Sequence, residues 1–434
     1  MRISHLVKIA FSLFLFTSCV SFADYSIIDA CLFENDYSEA VETLKSNSRL
    51  LYSSSTDKVL HDLDLGMLEH YAGRYSESNK TLSAAEIEIE KLYGVSITEN
   101  IGAFLLNDTV MKYSGADYED LYINLFKALN YMKQNNDDSA FVEIRRMDNK
   151  TKLLKTKYAK QLSELDNKNR ASGVVTDKME STEFYGSALA SYLSMLMYRC
   201  EDDISNARVS RKALETYMKT QPRIYGKIPT PPSLDEELET PPSGKFRLNI
   251  VAFTGRSPVK YGEDYYFTVG ERSIKVSYPR MRKRGSQISV VEVYVDGKKM
   301  GNLDLLESIE NIALETFKSE TAVIRARAVA RAVSRAIAAS IAEQTKEEDE
   351  EQSLLMSFID TISAISSVLI EEADTRISHF LPAHAYVGGF HVGPGHHSVK
   401  LVFKTTGGNV VHEEMSDYVV QNDGVNLIEA FCLK

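Results

Sequence analysis

Tryptophan is absent from this 434-residue sequence, while cysteine occurs four times and proline ten times. Without an indole, the cores must be filled by 23 Tyr, 18 Phe and the aliphatic residues. Four Cys in a chain this long exclude a scaffold built on disulfides. Basic side chains are the minority, 50 against 61 acidic, for a formal net charge of -11. That balance argues against a nucleic-acid partner, because phosphate backbones are gripped by clustered Lys and Arg. No apolar run is long enough to span a bilayer. The best candidate, Leu354 to Ile370, contains Asp360 and five Ser or Thr, and reads as a helix buried in protein. Catalytic signatures are missing as well: there is no P-loop, GxGxxG, HExxH or GxSxG pattern. Gly255-Arg256-Ser257 and Gly285-Ser286 read as short turns rather than phosphate cradles, and acidic pairs such as Glu371-Glu372 are too common to nominate an acid and a base. The sequence therefore offers no catalytic residue, metal set or cofactor motif.

What is present begins with a leader. Arg2 and Lys8 precede the apolar run Ile9 to Phe16, the proportions of an export signal and too short for a membrane span. Two exits follow. Leu15-Phe16-Thr17-Ser18-Cys19 has the shape of a loose lipobox, which makes residues 1–18 the signal peptide and Cys19 the lipidated first residue. Ser21-Phe22-Ala23 offers ordinary cleavage before Asp24 instead. Loss of Arg2 and Lys8 with the leader takes the net charge from -11 to -13. The three remaining cysteines, Cys31, Cys200 and Cys432, are far apart and read as isolated thiols.

From residue 19 to 220 the apolar spacing is helical. Leu121, Leu125, Leu129 and Met132 share one helix face, the helix stops at Asn135 to Asp138, and a second starts near Ser139. In that second helix Ala140, Ile144 and Met147 point inward, with Glu143, Arg145 and Arg146 expected outside. Leu65-Gly66, Gly73, Tyr75, Ser78, Leu82 and Ala85 fall at the marker offsets of a tetratricopeptide (TPR) repeat. Tyr37, Ala40 and Leu44 repeat the second half of the pattern, and Ile204, Ala207 and Leu214 do so more weakly. The small residues Ala40, Ser78, Ala140 and Ala207 are unevenly spaced, so a degenerate helical-repeat domain with inserts is expected, including an extended helix over Lys150 to Lys178.

Six of the ten prolines, from Pro222 to Pro242, mark residues 221–244 as a linker. Beyond it the period becomes two. Phe246 to Ala252, Tyr265 to Val269, Ile274 to Tyr278, Ile288 to Val295, Ala385 to Val392, Ser398 to Phe403 and Val425 to Leu433 read as strands. Asp296-Gly297 and Gly393-Pro394-Gly395 read as hairpin turns. A helical insertion is expected at about 303–376, with Arg327, Arg331 and Arg335 grouped on one helix side and most simply paired with carboxylates. Arg280, Arg282, Lys283 and Arg284 read as a charged turn. The expected fold class is thus α + (α+β): helical repeats, a proline-rich linker, then a mixed domain over 245–434.

Six of the nine His lie between His379 and His412, the one group that suggests a metal. His396 and His397 are adjacent and point to opposite strand faces, and only His391 and His396 are placed to meet across the presumed hairpin. Surface or turn histidines are the simpler reading.

FVEIRRMDNK at 141–150, GRSPVK at 255–260, EEADTR at 371–376, and Leu381-Pro382 leading into HVGPGHHSVKLVF together resemble a poorly characterised family of bacterial TPR-like exported proteins, often lipoproteins. Members are similar to accessory components of envelope assemblies, including curli-like secretion loci. The resemblance implies a scaffolding or adaptor role in the cell envelope, with protein partners, a membrane attachment through the lipid at Cys19, and no catalytic residues. Release into the periplasm or medium is the alternative if Cys19 is not acylated. Read physically, Arg256, Lys260, Asp374 and Arg376 are candidates for ion pairs or for a polar cleft. A cleft of that kind would suit one alternative function, an envelope enzyme acting on glycan or peptide with its site in the C-terminal domain; the other, a lipid- or polysaccharide-binding module, would use the Arg327, Arg331 and Arg335 stripe or the hairpin.

Overall fold

A computed structural model describes residues 24–53, 55–96, 108–157, 182–226, 228–269, 272–345, 372–422 and 424–434. The leader with Cys19, the helix tip beyond Lys157, the acidic run Lys346 to Glu351 and Leu354 to Ile370 lie outside the described residues.

The first half forms helical hairpins: α1 (Ser26–Glu34) with α2 (Tyr37–Leu51), α3 (Lys58–Tyr71) with α4 (Tyr75–Ser96), α5 (Asp117–Lys133) with α6 (Asp137–Lys157), and α7 (Ala188–Cys200) with α8 (Ile204–Thr220). One turn chemistry joins all four. The first helix ends on a left-handed residue, Asn35 (φ 60°), Gly73 (72°), Asn135 (54°) or Asp202 (60°). These residue types reach positive φ with little steric penalty. In each turn the next amide bonds back five residues: Asp36 to Cys31, Arg74 to Glu69, Asn136 to Tyr131 and Asp203 to Tyr198, at 2.8–2.9 Å. This is the Schellman closure, which satisfies carbonyls at the helix end. Asp36 and Asp203 then cap the second helix by accepting the amides of Glu39 and Asn206. Four residues after each cap position stand Ala40, Ser78, Ala140 and Ala207, all fully buried where the paired helices cross. Ser78 also donates to the Gly66 carbonyl at 2.7 Å, tying α4 to α3.

The second half contains a seven-stranded sheet with order β8-β7-β4-β5-β6-β1-β9, antiparallel except for the parallel β1–β9 pair. Its strands are β1 (Phe246–Thr254), β4 (Val290–Val295), β5 (Lys298–Ser308), β6 (His384–Val392), β7 (Gly395–Lys404), β8 (Val410–Val420) and β9 (Leu427–Cys432). A separate hairpin, β2 (Val259–Val269) with β3 (Arg272–Arg282), lies against the long helix α11 (Ile309–Thr345). Strand β5 extends to Ser308, so the helical insertion begins at Ile309 rather than near 303.

The Gly393-Pro394-Gly395 hairpin does not form. β6 pairs with β1 and β5, whereas β7 pairs with β4 and β8. In a flat sheet, three strand spacings of about 4.8 Å would separate β6 from β7. The link from Val392 to Gly395 covers three Cα steps, at most about 11 Å. The sheet must therefore curl, and its ladders carry register shifts at Leu305/Glu307, Val293/Tyr294 and Phe403/Lys404. Its inner face is filled by Leu248, Ile250, Val293, Leu303, Leu401 and neighbouring side chains, and none of the described helical residues belongs to that cluster. The edges β8 and β9 approach through side chains, as the Tyr418 hydroxyl accepts from the Leu427 amide at 3.0 Å.

The outer face of β1, β5, β6 and β9 packs on the helices. Val251, Phe253, Leu306, Val387 and Phe431 belong to the same apolar cluster as Leu63, Tyr122, Phe126 and Leu193. The proline-rich stretch is consequently not a solvated linker between two cores. It forms two short helices, α9 (Pro222–Tyr225) and α10 (Ser233–Glu236), and buries Ile224, Tyr225, Leu234 and Glu237. Glu143 also departs from expectation: it is buried because Lys127 of α5 reaches its carboxylate at 2.9 Å.

Candidate functional site

The seam between helices and sheet is polar at its centre, and each buried carboxylate there joins distant segments. Glu307, at the end of β5, is fully buried and accepts from the hydroxyls of Tyr122 (2.6 Å), Ser187 (2.8 Å) and Tyr225 (2.9 Å) and from the Leu189 amide (3.1 Å). Burial nevertheless outweighs those donors and raises its carboxyl above the usual range. Glu237 holds Arg199 of α7 and Arg247 of β1, and Glu429 of β9 lies 3.5 Å from His70 of α3.

A second group clasps the strap that leads into β6. Asp64 of α3 accepts from the Ser378 hydroxyl and the His379 amide, both at 2.8 Å, and from Tyr52 at 2.9 Å. Glu119 of α5 accepts from the Ser378 amide at 2.5 Å and from the Tyr113 hydroxyl at 2.6 Å. Tyr71 donates to the Phe380 carbonyl at 2.8 Å. This group fastens the strap to α3 and α5.

Lys260, Asp374 and Arg376 sit beside that clasp. The Lys260 side chain is 4% exposed and lies 3.4 Å from Glu320 of α11, with its ammonium 5.2 Å from the centre of the Phe317 ring. Burial works against its charge, but Glu320, Asp374 and Glu119 more than compensate and hold the ammonium above its usual range. Arg376 pairs with Asp374 at 2.7 Å and with Asp57 at 2.8 Å, and donates to the carbonyls of Asp108 and Met111. These three residues form ion pairs that tie the strap and the hairpin to the helices. They line no cleft.

Arg256 is placed differently. Gly255 turns the chain out of β1 at φ 62°, and a Cβ there would stand 2.7 Å from the Cβ of Ser286. That close approach brings the 255–257 turn against the 284–287 loop, and together with the last two residues they line an open cleft of about 320 Å³. Its polar walls are Arg256, Arg284, Ser286, Gln287 and Lys434. Arg256 forms an ion pair with Asp29 of α1 and lies 3.0 Å from His379 Nε2. Asp29 also lies 2.9 Å from that nitrogen. Arg284 donates to the carbonyls of Ser257 (2.7 Å) and His379 (2.6 Å). Burial first, and repulsion from Arg256 second, bring the Arg284 guanidinium down to about 10. The same setting pushes His379 down: burial leads, Asp29 opposes, and the two Arg charges add to the fall. The His379 ring stacks on Tyr25 at 4.3 Å.

The histidines disperse. His384 pairs with Glu310, His391 with Glu236 and His397 with Asp296, while His412 meets Asn35. His391 and His396 do not meet across a hairpin, since β6 and β7 are not neighbours. Among the described residues no group of His, Cys, Asp and Glu is arranged to hold a metal. The three thiols, Cys31, Cys200 and Cys432, are free. Arg331 is buried and paired with Asp108 at 3.2 Å, whereas the Arg335 side chain lies outside the described residues. In the 280–284 cluster, Lys283 bonds Glu310 and Arg280 bonds Glu263, which leaves Arg284 to the cleft.

Sequence reading missed Asp29, Arg284, His379 and Lys434 as one group. The only signal was the pair of glycine turns, 255–257 and 285–286, whose proximity depends on how β1 and β3 end. Among the described residues, no helix is long and apolar enough to cross a membrane. No family model, curated protein or solved structure matches the chain.

Proposed function

We propose that this protein is an exported, lipid-anchored scaffold or adaptor of the bacterial cell envelope that works by binding protein partners through TPR-like repeats. The observation that carries the reading is the leader: a basic start, a short apolar run and Leu15 to Cys19, seven residues ahead of α1. A Cys19 acyl chain would hold the folded body close to a bilayer surface.

Four hairpins closed by the same turn, each with a small residue at the helix crossing, support the TPR-like assignment. Their uneven spacing makes the array a degenerate one. The inner helices α3, α5 and α7 are spent on the sheet, so partner binding falls to the outward helices of each pair. Those helices carry exposed apolar side chains, Leu50 on α2, Ile87 on α4, Val142 and Leu153 on α6, and Val209 on α8.

Photo-cross-linking amino acids placed at Ile87, Val142 and Val209 in cells test the partner claim. Discrete adducts from at least one position are expected. An absence of adducts from all three, in a chain that is exported and acylated, contradicts the scaffold reading.

A further inference from the structure

In a chain with a net charge of -11, the cleft beside α1 gathers an excess of positive charge. Arg256, Arg284 and Lys434 line it or border it, and among the described residues Asp29 is the one carboxylate in an ion pair with either guanidinium. Among the described residues no carboxylate forms an ion pair with Arg284. Its bonds go to two carbonyls and, at 3.4 Å, to the His379 ring. A guanidinium has five N–H donors. Three of those on Arg284 are engaged, and on Arg256 the bonded nitrogen is Nη1, so Nε and Nη2 keep their donors. Asp29, the carboxylate paired in this cluster, is shared by two positive charges, and an anion in the cleft would supply a further counter-charge.

We propose that this cleft is a binding site for a phosphate group, held by Arg284 and Arg256 with Lys434 at its edge. Two guanidiniums at one cavity match the geometry of a phosphate better than that of a neutral polar ligand, because forked N–H pairs meet paired oxygens. The Ser286 hydroxyl and the Gln287 amide complete the polar rim. Gly255 keeps the two turns close enough to make one wall.

Two sources carry this chemistry: a phospholipid headgroup and a soluble phosphate compound. The site stands whether or not the chain is lipidated. Only the headgroup source rests on the anchored reading. Seven residues from Cys19 to Ser26 span at most about 24 Å, which would hold α1 and its Asp29 near the bilayer.

The test uses the full chain purified in detergent, titrated with inorganic phosphate by calorimetry, with sodium chloride as the control for ionic strength. Saturable phosphate binding is expected, weakened roughly tenfold or more in Arg284→Gln. Gln287→Glu places a negative charge on the exposed rim without entering the core, and it should abolish binding in a folded protein even where Arg284→Gln unfolds. No saturable binding, or binding unchanged in Gln287→Glu, overturns the proposal. In a second arm the Cys19→Ser chain is floated with phosphatidylglycerol and with phosphatidylcholine vesicles. Flotation with the anionic vesicles alone, lost in Gln287→Glu, supports the site with a headgroup as ligand. Phosphate binding without flotation supports it with a soluble ligand. Phosphate titration does not depend on acylation, so its failure is distinct from failure of the anchored-scaffold reading.

Discussion

The carboxylate of Asp64 on α3 accepts a hydrogen bond from the Ser378 hydroxyl at 2.8 Å, although the residues stand 314 positions apart. Burial is the largest influence on Asp64 and lifts its carboxyl to about 7, with the neighbouring charge of Glu119 adding to the rise and its hydrogen-bond donors opposing it. An unfolded Asp titrates near 4. Between those values the native chain keeps a proton that the unfolded chain has released, so stability falls as pH rises from about 4 to about 7. Asp64→Asn removes this titration. Urea unfolding from pH 4.5 to 7.5 should show a pH-dependent loss smaller in Asp64→Asn by on the order of 2–4 kcal/mol. Glu414, also raised to about 7 chiefly by burial, keeps a residual slope of the same sign in the variant. Parallel curves for the two proteins would contradict the assignment.

Glu307 gathers four donors from α5, from the segment before α7, from α7 itself and from α9. Glu307→Ala leaves three of them without an acceptor, Tyr225 keeping only the Gly186 carbonyl at 3.4 Å, and should cost about 3–5 kcal/mol in chemical denaturation. Tyr122→Phe removes one donor and should cost about 1 kcal/mol. Comparable losses in the two variants would mean that Glu307 does not organise the seam.

Gly389 of β6 faces the Glu237–Arg247 pair, and a Cβ there would collide with the carboxylate and with the guanidinium. Gly389→Ala should therefore destabilise the protein by about 2–4 kcal/mol, because a buried pair is forced apart. Gly393→Ala is the control, as nothing lies within 4 Å of its added Cβ. That substitution should change stability by no more than about 0.5 kcal/mol. Equal melting temperatures for both variants would show that the pair yields freely.

The helical hairpins were legible because each repeats a local rule: Leu121, Leu125 and Leu129 on one face, and Asn135 to Asp138 as the stop. The strands β1, β4 and β9 showed their period of two. What local pattern could not reveal was pairing. Nothing near Gly393 says that the chain steps from one side of a curled sheet to the other, since that depends on the partners β4 and β5. The end of β5 was lost to the insertion because Leu303 to Phe317 holds four Leu and three Glu, good helix formers, and runs without a break into α11. Glu143, Asp64, Glu119 and Glu307 looked like ordinary acidic residues of an acidic chain. Their burial is set by hydroxyls, amides and ammonium groups brought from other segments, which a single stretch of sequence does not encode. The same holds for the cleft. Arg256 was singled out, but its companion Arg284 was hidden in a basic run, and the two meet only because Gly255 lets two turns touch.

Mass spectrometry of the mature N-terminus decides whether Cys19 holds the folded body to the envelope. The mature chain is expected to begin at Cys19 and carry acyl chains, and Cys19→Ser to leave the membrane fraction. A mature chain that begins at Asp24, or one that retains Met1 and the apolar run, would contradict it.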